Sequence, residues 1–367
     1  MKISIIGTRG VPNYYGGFEQ FAEYLSLGLV QKGHEVIVYN SHAHPYQEEM
    51  WNGVRIVHCY DPEERMGTVG QFIYDFNCIL DSRKRNVDII LQLGYTSSSV
   101  WGWLLPRSKS IVTTNMDGLE WKRTKYSRKI QKFLLYAEKL GVRFSDYLIS
   151  DSIGIQQYLQ EKYQKPSVFI PYGAHIFTSP EEFKIYQYGV KSFQYDMLIA
   201  RLEPENSIEM ILDGVVKCNT QRPFLVIGKH ETKFGAYLKE KFKTDKRIMF
   251  IGGIYDINIL NNLRHFSNLY FHGHTVGGTN PSLLEAMASQ SLICAHSNIF
   301  NQSILGSDAF YFSNSNEVQN LLDQKVKSSF QNFITNNEKK IEQVYDWDII
   351  VDQYLHHFEE IMAAKKS

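Results

Sequence analysis

The stretch Gly273–Ala288, GHTVGGTNPSLLEAMA, predicts a glycine-bearing loop that opens directly into a helix. Gly277 and Gly278 allow main-chain amides to approach a ligand closely. Thr279 or Asn280 can cap the helix, and the proline that follows suits its first turn. A helix start with free amides and a positive dipole end favours an anion such as a diphosphate.

A carboxylate follows inside the same helix. Glu285 lies about one turn beyond the helix start, where it is well placed to hold two vicinal hydroxyls such as those of a ribose. A diphosphate site next to a ribose site indicates a nucleotide or nucleotide-sugar ligand. The structural alternative is a capped core helix preceded by a tight turn.

Composition limits the class of protein. A length of 367 residues suggests two domains. Lys+Arg and Asp+Glu both total 39, and this zero formal charge argues against a nucleic-acid-binding protein. The four cysteines are scattered without a C-x-x-C pair, which argues against zinc or a disulfide framework and fits a reducing cytosol. We expect neither a signal peptide nor a membrane-spanning helix, since no run of 18 apolar residues occurs.

The order of apolar runs predicts the fold. Lys2–Ile6 is typical of a buried parallel strand, and strands and helices then alternate to about residue 170. The pattern restarts at Tyr195–Ala200. We therefore predict an α/β protein with two Rossmann-like doubly wound domains, residues 1–172 and 173–346, facing across a cleft. The last helix, about 347–367, is expected to pack back on the first domain. Further strands are expected near 36–39, 55–59, 88–93, 110–114, 147–150, 167–170, 223–227, 248–250, 269–271 and 291–295.

Four loops at the carboxyl ends of strands are expected to line that cleft, because open α/β sheets bind ligands there. They span 8–17, 115–120, 201–206 and 273–280. In the first loop, Gly16-Gly17 could present amides to an anion, or could serve only as a flexible turn. The loop lacks G-x-G-x-x-G, which disfavours an NAD dehydrogenase.

Charged and polar residues in two other loops are candidates for substrate contacts. Asp117 could direct a carboxylate toward sugar hydroxyls, with a simple turn as the alternative. Arg201 directly follows a strand and could grip phosphate oxygens with two N–H groups, with a salt bridge to Glu203 or Glu205 as the alternative. Asn206 could donate to the same phosphates.

One pattern resembles a metal site. Asp346-Trp347-Asp348 spells D-x-D, which some sugar transferases use for a metal ion. A helix cap followed by an acidic first turn explains the pattern well. We find no other carboxylate or histidine cluster with ligand spacing and expect neither a metal nor a cofactor.

Five longer motifs combine these features. They are Thr8–Pro12 (TRGVP), Tyr15–Glu19 (YGGFE), Asp117–Arg123 (DGLEWKR), Ala200–Asn206 (ARLEPEN) and Gly277–Met287 (GGTNPSLLEAM). With these motifs the chain resembles, over its whole length, the retaining GT-B glycosyltransferases with a Glu-x7-Glu motif near the carboxyl end. More narrowly, it resembles a subgroup rich in bacterial rhamnosyltransferases.

The resemblance implies roles for the matching positions. Glu285 would hold the nucleotide ribose, and Arg201 the diphosphate. Gly16 and Gly17 would lie near the leaving phosphate, and Asp117 near the transferred sugar or the acceptor. The remaining substrate-binding candidates are Arg9, Asn206, His274, Gly277, Gly278, Thr279 and Asn280.

Two departures from the family pattern matter. Gly277 stands where the first family glutamate is expected, and Asn206 stands where the phosphate lysine is expected. The sugar would then be held differently, for example by the amides of Gly278 and Thr279. Arg201 and the helix amides would carry more of the diphosphate charge.

The resemblance also implies a reaction and its partners. The expected reaction is transfer of a sugar, first of all L-rhamnose from dTDP-L-rhamnose, to a polyprenyl-diphosphate-linked sugar in surface polysaccharide synthesis. A nucleotide-sugar epimerase and an inactive nucleotide-sugar-binding protein are the alternatives, the second suggested by the two departures.

A cytoplasmic location on the inner face of the plasma membrane is expected from the same resemblance. The basic run at 122–132 would contact the membrane, with an ordinary solvated helix face as the alternative. The membrane-facing candidates are Trp121, Lys122, Arg123, Lys125, Arg128, Lys129 and Lys132.

Overall fold

The structure, a computed structural model, describes residues 1–14, 16–123 and 126–366. The chain divides into two compact units. The first unit comprises Met1–Lys122, Tyr126–Gly173 and Trp347–Ser367. The second comprises Ala174–Asp346 together with Arg123–Lys125.

A single sheet forms the centre of the first unit. Its strands are β1 (Lys2–Ile6), β2 (Glu35–Ser41), β3 (Met50–Trp51), β4 (Val54–Cys59), β5 (Ile89–Leu93), β6 (Ile111–Asn115), β7 (Tyr147–Ser150) and β8 (Val168–Phe169). Their order is β3-β4-β2-β1-β5-β6-β7-β8. Neighbouring strands pair in parallel except β3, which pairs antiparallel with β4. The strand order therefore reverses between β1 and β5.

Helices connect these strands, as parallel pairing requires. They are α1 (Gly17–Gln31), α2 (Glu63–Met66), α3 (Thr68–Ser82), α4 (Arg128–Phe144) and α5 (Ile153–Tyr163). Central strand residues such as Ile3, Ile5 and Ile89 are fully buried. Burial on both faces explains why these strands are continuous apolar runs.

The second unit repeats this architecture. Its strands are β9 (Asp196–Ile199), β10 (Phe224–Ile227), β11 (Ile248–Gly252), β12 (Leu269–His272), β13 (Ile293–His296) and β14 (Phe310–Phe312). All pair in parallel, in the order β11-β10-β9-β12-β13-β14. The helices are α6 (Ile208–Lys217), α7 (Lys233–Phe242), α8 (Ile257–Phe266), α9 (Pro281–Ala288), α10 (Ile299–Leu305), α11 (Ser315–Gln324) and α12 (Gln331–Lys340). Here the order reverses between β9 and β12.

The carboxyl-terminal helix, α13 (Trp347–Lys366), completes the core of the first unit. Lys32 of α1 lies 2.6 Å from Asp352 of α13. The buried Asn115 at the end of β6 donates a hydrogen bond to the hydroxyl of Tyr354, at 3.1 Å. The end of the chain is thus bonded to both a helix and the sheet of this unit.

The two doubly wound α/β units confirm the predicted fold class. The strand pattern restarts at Asp196, within the stretch from which the sequence predicts a new first strand. Two strands were not predicted. β3 has only two residues and β14 only three, so neither is long enough to produce a recognisable pattern.

Candidate functional site

The loops that follow β9 and β12 begin on neighbouring strands, at the point where the strand order of the second unit reverses. Ligands of doubly wound sheets bind at such a point. The loops touch. A Cβ atom on Gly273 would lie 2.1 Å from the carbonyl oxygen of Asn206, so only glycine fits there. Thr275 donates from its amide and its hydroxyl to the carbonyl oxygen of Glu205, at 3.1 and 2.8 Å.

The first of these loops presents Arg201. Its side chain is exposed directly after β9. Asn206 is buried, and its side-chain amide donates to the carbonyl oxygen of Arg201 at 2.7 Å. Asn206 therefore fixes the shape of the loop that carries the arginine.

The second loop ends in the amino terminus of α9. The side chain of Asn280 accepts a hydrogen bond from the amide of Ser282 at 2.9 Å, and Pro281 is the first helical residue. Of the two residues that the sequence offers as the cap, Thr279 and Asn280, the structure uses Asn280. Thr279 is buried, whereas Gly277 and Gly278 are half-buried. Gly277 has a φ of +141°, which L side chains rarely adopt, so a glutamate at this position would strain the backbone.

Glu285 projects from α9 beside a buried arginine. Its Oε2 atom lies 2.6 Å from Nη2 of Arg264, the last-turn arginine of α8. The Arg264 side chain is 1% exposed and that of Glu285 is 17% exposed. The carboxylate of Glu285, which the sequence predicts to bind ribose, is therefore held by a buried arginine while part of its side chain stays exposed.

Two histidines stack where β12 ends. The rings of His272 and His274 are 4.3 Å apart and nearly parallel. Burial, followed by the charges of Arg201 and Arg123, lowers the pKa of His274 to about 3. His274 is therefore a neutral imidazole at physiological pH. Its Nδ1 atom and both ring nitrogens of His272 have no hydrogen-bond partner among the described residues.

A further carboxylate lies in the loop after β9. The side chain of Glu205 is only 2% exposed, and Nη1 of Arg123 lies 3.7 Å from its Oε1. Neither carboxylate oxygen accepts a hydrogen bond within the described part of the chain. Buried carboxylates normally accept such bonds, so this one is unusual.

The corresponding loop of the first unit follows β1. The side chain of Arg9 makes two bonds to Glu63, at 3.0 and 2.7 Å. Its amide donates to the buried Glu19 of α1 at 2.8 Å. Gly16 precedes α1 and Gly17 is its first residue. Tyr15 of the predicted motif lies outside the described residues.

Asp117 follows β6 in a left-handed backbone conformation, with a φ of +52°. Its amide donates to the side chain of Asn115 at 3.0 Å. The turn that the sequence allows at this position is therefore formed, and the carboxylate is half-buried.

The segment beyond Asp117 is attached to a buried carboxylate. The indole N–H of Trp121 donates to Glu138 of α4 at 3.1 Å. Tyr158 and Tyr163 donate to the same carboxylate at 2.7 and 2.6 Å. Lys162 lies 2.9 Å from it. This network holds the segment against α4 and α5.

The basic run is partly exposed. Lys122 is exposed, as are Arg128, Lys129 and Lys132 of α4. The Arg123 side chain is largely buried, and Lys125 lies outside the described residues.

Asp346 and Asp348 flank the start of α13, and Asp346 lies 3.7 Å from His175. Within residues 1–14, 16–123 and 126–366, no group of three His, Cys, Asp or Glu side chains could hold a metal ion. None of the helices in this part of the chain has both the length and the apolar composition needed to cross a membrane.

Known structures share the fold of this chain. Sucrose-phosphate synthase from Thermosynechococcus elongatus is 17% identical, with a TM-score of 0.80 and 99% of each chain covered. Anabaena HepE in complex with UDP is 15% identical, with a TM-score of 0.73 and coverage of 98% of this chain and 100% of that one. Trehalose-6-phosphate synthase from Burkholderia multivorans is 11% identical, with a TM-score of 0.69 and 99% of each chain covered. These structural neighbours are GT-B glycosyltransferases. The chain has the GT-B fold.

At the level of sequence, one family model matches part of the chain. Residues 1–175 match a family model described as "Domain of unknown function (DUF1972)". No curated protein matches the chain. The GT-B fold thus confirms the architecture expected from the sequence motifs.

No sequence motif marks Arg264, Glu138 or His272 as a site residue, and Glu205 is expected only as an alternative salt-bridge partner of Arg201. A signal existed for two of them. Arg264 lies four residues after the buried Leu260, and therefore on the buried face of α8. Glu138 lies four residues after the buried Leu134 of α4 in the same way. A charge on such a stripe indicates a buried partner, although the pattern does not identify that partner.

Proposed function

We propose that this protein is a retaining glycosyltransferase that transfers a sugar from a nucleoside diphosphate to a lipid-linked saccharide. The observation that supports this most strongly is the convergence of three elements where the second sheet reverses its order. They are the exposed Arg201, the capped amino terminus of α9 and Glu285. Guanidinium and helix amides suit a diphosphate, and a carboxylate suits the hydroxyls of the nucleotide's pentose, which are two in UDP and only the 3′-hydroxyl in dTDP. The neighbouring HepE structure contains UDP.

The reaction would depend on charge stabilisation. As the bond between the anomeric carbon and the diphosphate oxygen breaks, negative charge grows on the leaving diphosphate. Arg201 and the amides of 278–280 would stabilise that charge. The acceptor oxygen would bond to the anomeric carbon on the same face, and its proton would pass to the leaving phosphate. No separate general base is required for that transfer.

The first unit would contribute other contacts. We assign Gly16 and Gly17, at the start of α1, to the leaving phosphate. Asp117 would contact the transferred sugar or the acceptor. Arg9 is paired with Glu63. We assign it to holding the loop after β1 in place and to contact between its guanidinium and the substrate.

The donor is proposed to be dTDP-L-rhamnose, and the acceptor a polyprenyl-diphosphate-linked sugar of a surface polysaccharide pathway. The subgroup motifs support this choice. Gly277, with its positive φ, replaces the first family glutamate, which favours a sugar pocket of different shape. Neutral His274 is suited to bonding with a sugar hydroxyl next to it.

We also propose that α4 attaches the enzyme to the cytoplasmic membrane surface. Arg128, Lys129 and Lys132 are exposed on this helix, together with the apolar Ile130 and Phe133. Basic residues attract anionic lipids, while exposed apolar side chains enter the headgroup region. If removing the three charges (R128Q/K129Q/K132Q) does not reduce sedimentation with vesicles containing anionic lipid, this assignment is wrong.

Donor consumption with and without acceptor tests the proposed activity. The protein would be incubated with dTDP-L-rhamnose or UDP-glucose, alone and with a polyprenyl-diphosphate-linked sugar. A transferase forms product only with the acceptor. An epimerase alters the donor alone, and a binding protein only raises its own melting temperature with the donor. If no nucleotide sugar is consumed or bound, the proposal is wrong.

A further inference from the structure

The pair formed by Glu285 and Arg264 is built to hold one orientation of the carboxylate. Nη2 of Arg264 lies 2.6 Å from Oε2 of Glu285 and donates to the hydroxyl of Ser282 at 3.1 Å. Nη1 donates to the side chain of Asn261 at 2.9 Å. The Ser282 hydroxyl is in turn 2.9 Å from that of the buried Tyr270. Three elements, α8, β12 and α9, thus fix the guanidinium plane.

The burial of the two partners differs, and this difference indicates that Arg264 acts on Glu285 rather than on a ligand. Arg264 is 1% exposed and cannot itself reach a ligand without movement of the chain, whereas Glu285 is partly exposed. A long flexible carboxylate at the surface would otherwise sample several rotamers. Pairing with a rigid guanidinium restricts the rotamers of Glu285 before a ligand binds. The entropy cost of ordering this side chain is then not subtracted from the binding free energy.

We propose that Arg264 is the positioning residue that orients the Glu285 carboxylate toward the ribose of the nucleotide. This inference rests on the proposed function. It assigns to α8, which carries none of the motif residues, an indirect role in ribose recognition. The arginine acts through Glu285 and does not touch the substrate.

The test compares nucleotides with and without ribose hydroxyls. UDP is paired with 2′,3′-dideoxyuridine diphosphate, and dTDP with 3′-deoxythymidine diphosphate; the pair whose parent binds more tightly is used. Dissociation constants are measured by calorimetry for the unsubstituted protein and for R264M. We expect R264M to weaken binding of the parent nucleotide about tenfold, because the charge-assisted bond that fixes the Glu285 carboxylate is lost. Binding of the hydroxyl-free analogue should be unchanged.

A matched control separates positioning from general stability. Arg222 forms a similar ion pair in the same unit, with Nε 2.9 Å from Oδ2 of the buried Asp196. That pair lies at the amino end of β9, at the opposite end of the strand from Arg201. R222M should lower the melting temperature without changing the ratio between the two dissociation constants. If R264M does not fold, R264K is used instead. It keeps the charge but loses the planar guanidinium that bonds Asn261 and Ser282 while pairing with Glu285, and it should lower the ratio of the analogue's dissociation constant to that of the parent nucleotide.

The outcomes are distinct. An equal loss of affinity for both nucleotides in the Arg264 variants, or no change in the ratio, overturns the inference. An unsubstituted protein that binds both nucleotides equally also overturns it, while leaving diphosphate binding and the proposed function intact. Absence of binding to any of these nucleotides would overturn the proposed function itself.

Discussion

Arg201 is the residue on which the proposed chemistry depends most. It is exposed at the carboxyl end of β9, beside the neutral His274. Arg201→Ala should reduce turnover by about 10²–10³-fold at saturating donor, since one well-placed donor to a developing charge contributes that much. The melting temperature should stay near that of the unsubstituted protein because the side chain is exposed.

Lys246→Ala is the matched control for this variant. Lys246 is also exposed and cationic, but it lies before β11, at the amino ends of the strands of the second unit's sheet, whereas Arg201 lies at their carboxyl ends. Its removal should leave turnover unchanged. Near-normal turnover of Arg201→Ala under the same conditions would show that the arginine does not stabilise the diphosphate.

Single residues also determine how stability depends on pH. His357 of α13 is buried, and its Nε2 atom lies 3.0 Å from the hydroxyl of Thr113. Burial lowers the pKa of His357 to about 4. Because the unfolded histidine titrates near pH 6.5, the unfolded state takes up a proton as pH falls below that value. The folded state takes one up only near pH 4. The contribution is therefore complete above pH 6.5 and decreases as pH falls toward 4.

Denaturant unfolding at pH 7.5 and pH 5 measures this effect. For such a pair of pKa values, about 2 kcal/mol of unfolding free energy is lost over this interval. His357→Gln should remove this part of the pH dependence, although its stability at pH 7.5 is expected to be lower. His356→Gln, which changes the exposed neighbour, should keep most of the slope, because burial is the largest cause of the lowered pKa of His357 and is unchanged in this variant. A slope in His357→Gln equal to that of the unsubstituted protein would contradict the assignment.

At the scale of elements, helix caps connect stability with ligand binding. Asn280 caps α9 and Asn314 caps α11 by the same type of bond, from a side-chain oxygen to a first-turn amide. Asn280→Ala and Asn314→Ala should each lower the unfolding free energy by about 1 kcal/mol. Of these two variants only Asn280→Ala should also weaken nucleotide binding, because α9 follows a strand at the switch point of the sheet, whereas α11 follows the edge strand β14. Calorimetric titration with UDP or dTDP measures the difference, and equal affinities in both variants would contradict it.

Elements with a strong local pattern could be predicted from the sequence. β1 begins and ends at the predicted residues, and the cap and first proline of α9 stand where the sequence placed them. In both cases the apolar run or the capping residue acts within a few positions of the element itself. Local chemistry therefore specifies the element almost completely.

Contacts between distant elements could not be predicted. The pairing of Arg264 with Glu285 joins residues 21 positions apart, and the Trp121 indole reaches Glu138 across a helix boundary. Sequence spacing shows that Arg264 is on a buried stripe but gives no information about which side chain faces it. The left-handed φ of Asp117 could not be predicted either, since aspartate tolerates this conformation more readily than most residues but does not specify it.

At the scale of the whole molecule, the fold tolerates extensive sequence change. Chains only 11 to 17% identical superimpose with TM-scores of 0.69 to 0.80 over nearly their full length. Such tolerance is expected where burial and volume, rather than individual contacts, specify the layers of a sheet and its helices. The residues that differ among such proteins are then free to determine which ligand is bound.

The division of the chain into units makes a further prediction about cooperativity. Gly28 of α1 lies against α13, and a Cβ atom there would be 2.6 Å from Cγ2 of Val351. Gly214 of α6 lies against α11 in the same way, 2.5 Å from Cγ1 of Val318. Both Gly→Val substitutions overpack a helix contact and should lower stability by about 2 kcal/mol, but each in a different unit.

Hydrogen exchange resolved by peptide can separate the two effects. Gly28→Val should accelerate exchange in the strands of the first unit, including β1 and β6, although residues 174–346 separate α13 from the rest of that unit in sequence. Gly214→Val should accelerate exchange in β9, β10 and β12 instead, because local packing within a cooperative unit sets its opening free energy. Each variant serves as the control for the other. Equal acceleration in both units by either variant would show that they unfold as one, and that the helix at the end of the chain does not belong to the first unit alone.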